Sequence, residues 1–470
     1  MSEEFVEERT STKRNTDQEA TVRTQRRVAV SSGLKGVRQA AMHSKERVFT
    51  ALLHHVTYDL LFDSFKKLKK HAAAGIDGTT WIEYQEHAEA NISDLHDRVH
   101  RGSYRAMPSL RTFIPKPDGG KRPLGIAALE DKIVQMAVKS VLDQIYEVNF
   151  KGFSYGFRPE RSGHDALDAL YVAVTRKKIN WILDADIQKY FDSIDHEWML
   201  KFLEHRIKDK RIIRLVRKWL RAGVIEGTEW KETELGSPQG AVISPLLANI
   251  FLHYVLDIWV DWWRRKYAKG EVVIVRYADD FVLGFQYLFE AEAFLDALKA
   301  RLGQFGLSLH PDKTRMIEFG RYAAGNRKKN GEGKPETFDF LGFTHICSRF
   351  PKGGFEIRRC SIKKRFRAKV KEVRRKIIAR RHHDIEEQGK WIKSVILGYR
   401  NYFAVHRNLD TVKRFRGEVL RAWYRALRRR SQKGGKMPWT AFRNIYIRWM
   451  PRLAVLHPWP WLRFDAKYSR

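Results

Sequence analysis

Between residues 272 and 285 the chain reads VVIVRYADDFVLGF. Two apolar, β-rich runs lie on either side of adjacent carboxylates, Asp279 and Asp280. Two such runs with polar residues between them read as a hairpin with both acids at its tip. Adjacent like charges repel, and taking either out of water is unfavourable. A fold that contains this hairpin must therefore supply something positive there.

A second strand delivers acid in the same way. In INWILDADIQKYFDSIDHEWML (179–200) a strand runs into a helix, with Asp195 as its N-cap. Strand alternation puts Ile182, Asp184 and Asp186 on one face, and Trp181, Leu183, Ala185 and Ile187 on the other. If Asp186 meets Asp279 and Asp280, three carboxylates cannot all stay ionised without a cation. All-oxygen ligation suits Mg²⁺, and two such ions about 4 Å apart serve phosphoryl transfer. For an isolated Asp-Asp pair at a turn, a plain polar turn would be the simpler explanation.

Composition tips that balance. With 89 Lys and Arg against 55 Asp and Glu, the 470-residue chain carries a formal net charge of +34. A polyanion is the natural partner of such a surface, and 14 Trp, 17 Tyr and 27 Phe offer flat faces for bases. Two separate cysteines, Cys347 and Cys360, make neither a disulfide framework nor a four-ligand zinc set. No apolar run approaches the roughly 20 residues of a membrane span. MSEEFVEERTSTKRNTDQEA lacks the apolar core of a signal peptide, so an intracellular protein is expected.

Along the chain, residues 1–45 read as a flexible tail. From Arg47 the apolar residues Val48, Leu52, Val56 and Leu60 recur every fourth position, predicting a helix, and Leu61, Phe65 and Leu68 extend its face. TFIPKPDGGKRPLGI (112–126) predicts a hairpin. Helices are predicted over 130–149 and 163–177, within the long apolar stretch to 260, and over 290–305. FDFLGFTHI (338–346) reads as one further strand. Strands and helices alternate irregularly, which makes the fold class α+β. From Arg358 to Arg381 basic residues dominate with one acid, Glu372, yet Ile362, Phe366, Val370, Val373 and Ile377 keep helical spacing. Val412, Phe415, Val419, Trp423 and Leu427 repeat the habit. Helices with one apolar stripe and a basic opposite face suit a bundle laid against phosphates.

Seven segments occur in a diagnostic order: IPKPDGGKRPLGI, YGFRPERSGHDAL, DADIQKYFDSIDH, GSPQGAVISPLLANIFLHYVLD, RYADDFVLGF, LSLHPDKT and FLGF. With them the chain resembles the reverse transcriptase/maturase proteins encoded by bacterial group II introns, from about residue 46 to its C-terminus. The resemblance implies a right-hand polymerase, with fingers and palm over 46–350 and an α-helical thumb/maturase domain over 355–435. A basic aromatic extension follows over 436–470. It implies a metal site of Asp186, Asp279 and Asp280, with the backbone carbonyl of Ile187 as a further ligand, holding two Mg²⁺ ions. Asp186 is taken over Asp184 for its spacing from Phe191, since both lie on one face.

Further roles follow by position in the motifs. Phe191 would crowd the 2′-carbon of the incoming sugar. Lys116 and Arg122 would grip the triphosphate, and Gln239 would sit by the nucleotide. Lys313 would lie near substrate phosphates or primer, and Phe340, Leu341 and Gly342 would support the primer. Arg365, Arg374, Arg375, Tyr399 and Arg400 would touch RNA. Ala241 stands where many relatives have Gly. Many relatives end in a nuclease domain with paired cysteines and histidines, which is not expected here.

The implied function is RNA-directed DNA polymerisation with binding of group II intron RNA, aiding its splicing and mobility. The implied partners are intron RNA, RNA template, DNA primer or target, and dNTPs, without a membrane. The protein would act as a monomer or homodimer in the bacterial cytoplasm, at the nucleoid when on DNA. A reverse transcriptase domesticated for DNA repair or phage defence, and a maturase without polymerase activity, are the alternatives.

Overall fold

The computed structural model describes residues 32–115, 120–227, 229–231, 235–236 and 240–468. Lys116, Gln239 and most of the expected N-terminal tail lie outside the described residues. The last part of that expected tail is helical: α1 spans 32–43, and Val37 and Ala41 bury its inner face. The helix expected from Arg47 starts later. Phe49 forms a β-bridge with Ile207, and a 3₁₀ turn covers Leu53–His55. Asp209 accepts the amides of Leu52 and Leu53 at 2.7 and 3.0 Å, a bond from a distant residue that holds the backbone out of the helix. Helix α2 then covers Tyr58–Lys67, capped by Thr57. α3 (Trp81–Glu86) opens on a capping box from Thr80 and Glu83, and α4 (Ala88–Arg101) ends on Gly102 in the left-handed region.

The hairpin expected at 112–126 is β1 (Ser109–Pro115) with β2 (Lys121–Ile126), in antiparallel register with Ile114 opposite Arg122. The apolar helix α5 (Leu129–Asn149) and α6 (Gly163–Arg176) lead into β3 (Trp181–Asp186). After a 3₁₀ turn at Tyr190–Asp192 come α7 (His196–Glu204), N-capped by Asp195 as expected, and α8 (Lys210–Arg221). β4 (Val224–Glu226) pairs in parallel with β1 and antiparallel with β5 (Glu229–Lys231), giving the sheet order β2-β1-β4-β5. The long apolar helix is interrupted: α9 (Ser244–Leu252) passes through a π turn at His253–Asp257 into α10 (Ile258–Tyr267).

The opening hairpin is β6 (Val272–Tyr277) with β7 (Asp280–Phe285). It is followed by α11 (Leu288–Gly303), β8 (Arg315–Glu318) and α12 (Ala323–Lys329). The central sheet runs β6-β7-β3-β8, all antiparallel. Alternate residues of its strands feed opposite cores. Leu183, Ile274 and Leu283 pack with the helices of the first two-thirds of the chain, while Ile182, Val275 and Val282 pack with α6 and a later sheet.

That later sheet corrects the expectation of one strand at 338–346. β9 (Phe338–Phe340) turns through Leu341 and Gly342, at φ 46° and 83°, into β10 (Phe343–Arg349). β11 (Phe355–Ser361) completes it, so the helical region begins after Ser361 rather than at 355. α13 (Lys363–Ala379), α14 (Ile385–Phe403) and α15 (Leu409–Arg428) form a bundle with its own core, in which Val412, Phe415, Val419, Trp423 and Leu427 are all buried. The single turn α16 (Gln432–Gly435), α17 (Trp439–Tyr446) and α18 (Pro460–Tyr468) close the described chain. No helix among the described residues is long and apolar enough to cross a membrane.

Candidate active site

Cross-strand register brings the acids together. β3 and β7 pair so that Asp186 lies directly opposite Asp280, two pairs beyond Asp184 opposite Val282. Directly opposed like charges destabilise a sheet, so this pairing is one that packing alone would not select. In the other direction Tyr277 pairs with Asp280, which leaves Ala278 and Asp279 as a two-residue turn. Ala278 takes φ 58°, in the left-handed region that L-residues avoid at about 1–2 kcal/mol.

The electrostatics follow from that crowding. Burial, then repulsion from Asp186, pushes the Asp279 carboxyl up, and Arg122 and Arg276 pull against that shift. Asp280 opens onto the cleft at its outer edge. Its withdrawal from bulk water, then repulsion from Asp279 and Asp186, pushes it up to about 7, with Arg365 opposing. Burial raises Asp184 to about 6 against the pull of Arg315, 3.6 Å away. Asp186 meets a cation: its Oδ2 accepts from Lys313 Nζ at 2.6 Å. Among the described residues no three His, Cys, Asp or Glu side chains are gathered as a ready metal site. The donor set nonetheless suits a hard divalent ion, because it consists of carboxylate oxygens that raise one another's proton affinity. A cation held there would compete with Lys313 for Asp186.

Asp184, Asp186 and Asp280 open on a cleft of about 620 Å³ whose walls also include Lys313, Arg315, Leu341 and Arg365. Phe340, Leu341 and Gly342 line it through the β9–β10 turn, and Tyr402 Oη donates to the Leu341 carbonyl at 2.8 Å. Next to β3, His310 N donates to the Asp186 carbonyl and Gln188 N to Ser308, around a bridge between Ile187 and Leu309. That pattern turns the Ile187 carbonyl away from Leu309. Phe191 is half-buried, and its carbonyl packs on Gly236. Arg122 is exposed on β2, within electrostatic reach of Asp279. Lys116 and Gln239 themselves lie outside the described residues.

The residues expected to touch RNA divide. Arg375 lines, with Arg365, a second groove of about 870 Å³ between Ile114 of β1 and helices α13 and α14. Arg374 pairs with Glu418 across the bundle. Tyr399 borders the same groove, but it is 7% exposed and stacks on Phe415 at 3.9 Å, so most of its ring packs in the bundle core. Arg400 Nη1 donates to the Arg452 carbonyl at 3.0 Å, which ties α14 to the C-terminal segment. Motif reading missed Arg315, which lines the cleft and sits in no charge pattern that separates it from ordinary surface residues; Tyr402, within the GYRNYF segment, lines the same cleft.

Comparison with known proteins matches residues 114–345 to the reverse transcriptase (RNA-dependent DNA polymerase) family. Protein YkfC of Escherichia coli K12 is 34% identical over 272 residues, covering 52% of this chain and 71% of that protein. The group II intron-encoded protein LtrA of Lactococcus lactis subsp. cremoris is 33% identical over 238 residues, covering 50% of this chain but 39% of LtrA. A 91 kDa protein in the cob intron of Schizosaccharomyces pombe is 44% identical over 170 residues, covering 36% of this chain and 21% of that protein.

Proposed function

This chain belongs to the family of group II intron-type reverse transcriptases, and we propose that it is an RNA-directed DNA polymerase that also binds intron RNA and assists its splicing and mobility. The observation that carries the polymerase reading is the register: Asp186 opposite Asp280, beside the Asp279 turn, at the floor of an open cleft. In this reading the region up to β10 is fingers and palm, and α13–α15 are the thumb.

Asp186, Asp279 and Asp280 would hold two Mg²⁺ ions, with the Ile187 carbonyl beside them. Bound there, the ions would supply activation of a primer 3′-hydroxyl and stabilisation of the oxygens that leave with pyrophosphate. The chain's own groups orient the reactants. The β9–β10 turn carries the primer end toward Asp280, and Lys313 faces the phosphates from beside Asp186. Arg122, with Lys116, grips the triphosphate from the β1–β2 hairpin. Gln239 orients the base, and Phe191 crowds a ribose 2′-hydroxyl and so selects dNTPs. The basic groove against α13 and α14, holding Arg365, Lys369, Arg375 and Lys376, takes the template–primer backbone. The same basic bundle would hold intron RNA.

Primer extension on an RNA template tests the reading. Asp279→Ala is expected to abolish dNTP incorporation while RNA binding in a filter assay stays close to the parent's. Full incorporation by that variant would refute the assignment. RNA binding with no incorporation by the parent protein would leave a maturase alone.

A further inference from the structure

We propose that Arg276, Asp257 and Asn249 are positioning residues for the Asp279 turn: a buried brace that sets where the proposed metal-binding carboxylate stands. The proposal rests on the polymerase reading for the role of Asp279, and on geometry for the brace.

Arg276 is the anomaly of the opening sequence. It sits within an otherwise apolar strand and is 0% exposed. A buried guanidinium is unfavourable unless each donor finds a partner. Strand alternation aims it, with Val272 and Ile274, at the helix layer under the sheet. There Nε and Nη2 donate to the two oxygens of Asp257 at 2.7 and 2.6 Å, a bidentate pair that is itself fully buried. Nη1 is shared between Asn249 Oδ1 and the carbonyl of Ala278, each at 3.0 Å. The ion pair is complete without that last bond. The donor instead reaches the carbonyl of the one strained residue in the catalytic turn.

The π turn makes this possible. Eight residues of unbroken α-helix leave Asn249 and Asp257 about 80° apart around the axis. The π turn at His253–Asp257 accommodates an extra residue, so the pair is spaced like seven α-helical residues, within about 20° of one face. Both side chains then reach the same guanidinium.

Asn249 links the brace to a second support. Its Nδ2 donates to the Gly156 carbonyl at 2.7 Å. Gly156 in turn lies against the back of the turn, where a Cβ would stand 2.3 Å from the Ala278 nitrogen. Tyr155 N and Arg276 N complete the contact, donating to Arg276 and Phe153 carbonyls at 2.8 and 2.9 Å. Because a peptide unit is planar, holding the Ala278 carbonyl orients the Ala278–Asp279 plane and so the Cα from which the carboxylate projects. Supporting groups of this kind are commonly worth about 10–100-fold in metal affinity or activity.

The test separates positioning from stability. A buried ion pair replaced by apolar residues of similar size is often neutral for folding. The full-length double variant Asp257→Leu/Arg276→Met is therefore expected to melt near the parent. Mn²⁺ binding, followed by electron paramagnetic resonance with the metal alone, should weaken by about tenfold, and kcat for primer extension should fall by about a hundredfold. KM for dNTP and template–primer affinity should stay within about threefold of the parent. If the double variant does not fold, Arg276→Lys keeps the charge beside Asp257, loses the fork, and should weaken Mn²⁺ binding in the same direction. A folded variant with Mn²⁺ affinity and kcat within about twofold of the parent overturns the brace. If the parent extends no primer, yet Asp279→Ala abolishes Mn²⁺ binding and the double variant weakens it, the polymerase reading fails and the brace stands.

Discussion

At Lys313 a single ion pair sets how the acids present themselves. Its ammonium holds Asp186 Oδ2 at 2.6 Å while the lysine side chain stays 60% exposed. Exposed pairs of this kind contribute about 0–1 kcal/mol, weak enough for a divalent ion to displace. Lys313→Met is therefore expected to tighten Mn²⁺ binding severalfold in a titration of the isolated protein; unchanged affinity would mean the lysine does not compete. A second residue couples to pH. Asp131 is buried, accepts from Tyr104 Oη and from Met107 N at 3.0 Å, and is pushed by burial up to about 6. The folded state thus holds a proton that the unfolded state releases near pH 4, so stability falls as pH rises from about 4 to 6. Asp131→Asn should flatten the dependence of the denaturant midpoint on pH in that window by up to about one proton, or 1.4 kcal/mol per pH unit. An unaltered slope would show that Asp131 is already ionised there.

Among the elements, the β9–β10 hairpin depends on backbone conformation more than on contacts. Gly342 takes φ 83°, and a Cβ there would meet the Phe403 and Tyr402 rings at 3.6 Å, ordinary contact. Gly342→Ala should cost about 1–2 kcal/mol from the left-handed backbone alone, read from chemical denaturation. A neutral change would place the turn outside that conformation. The same hairpin shows why the sequence reads as one strand: nothing in the apolar pattern of FDFLGF marks the turn, and only its Leu341–Gly342 backbone does. Helix α15 is the opposite case. Its 3.6-residue stripe is continuous, and each of its five stripe residues is buried as the spacing implies.

Across the whole molecule, the C-terminal segment joins the bundle to the central sheet. Val405 bridges to His457, and α18 lies on α6, with Lys467 on Asp165 and Arg176 on Asp465. Asp168, 2% exposed, takes Arg359 of β11 at 3.1 Å and Arg463 of α18 at 3.2 Å, so one carboxylate is shared by cations from two other elements. Asp168→Ala leaves the Arg359 guanidinium buried without its partner, and stability should fall by about 3–5 kcal/mol. Limited proteolysis should then release the segment after residue 450 sooner than in the parent. Parent-like midpoints would mean that water already solvates both arginines.

Local features were legible because their causes are local. Apolar spacing fixed the β6–β7 hairpin and α15, and a side-chain cap marked the start of α7. The charge of +34 points to a polyanion whatever the fold. Other features were not legible, because their partners lie far along the chain. Asp209 unwinds the periodic run at Leu52 and Leu53, Phe415 draws Tyr399 into the core, and helix α1 forms where polar composition suggests a tail. By itself, the sequence determined that acids stand at the ends of two strands. Only the tertiary structure decided that Asp186 faces Asp280, and that Arg276 reaches behind the turn. Cross-strand register and a π turn are choices of packing between distant segments, and a shift of one residue in either would point these side chains elsewhere.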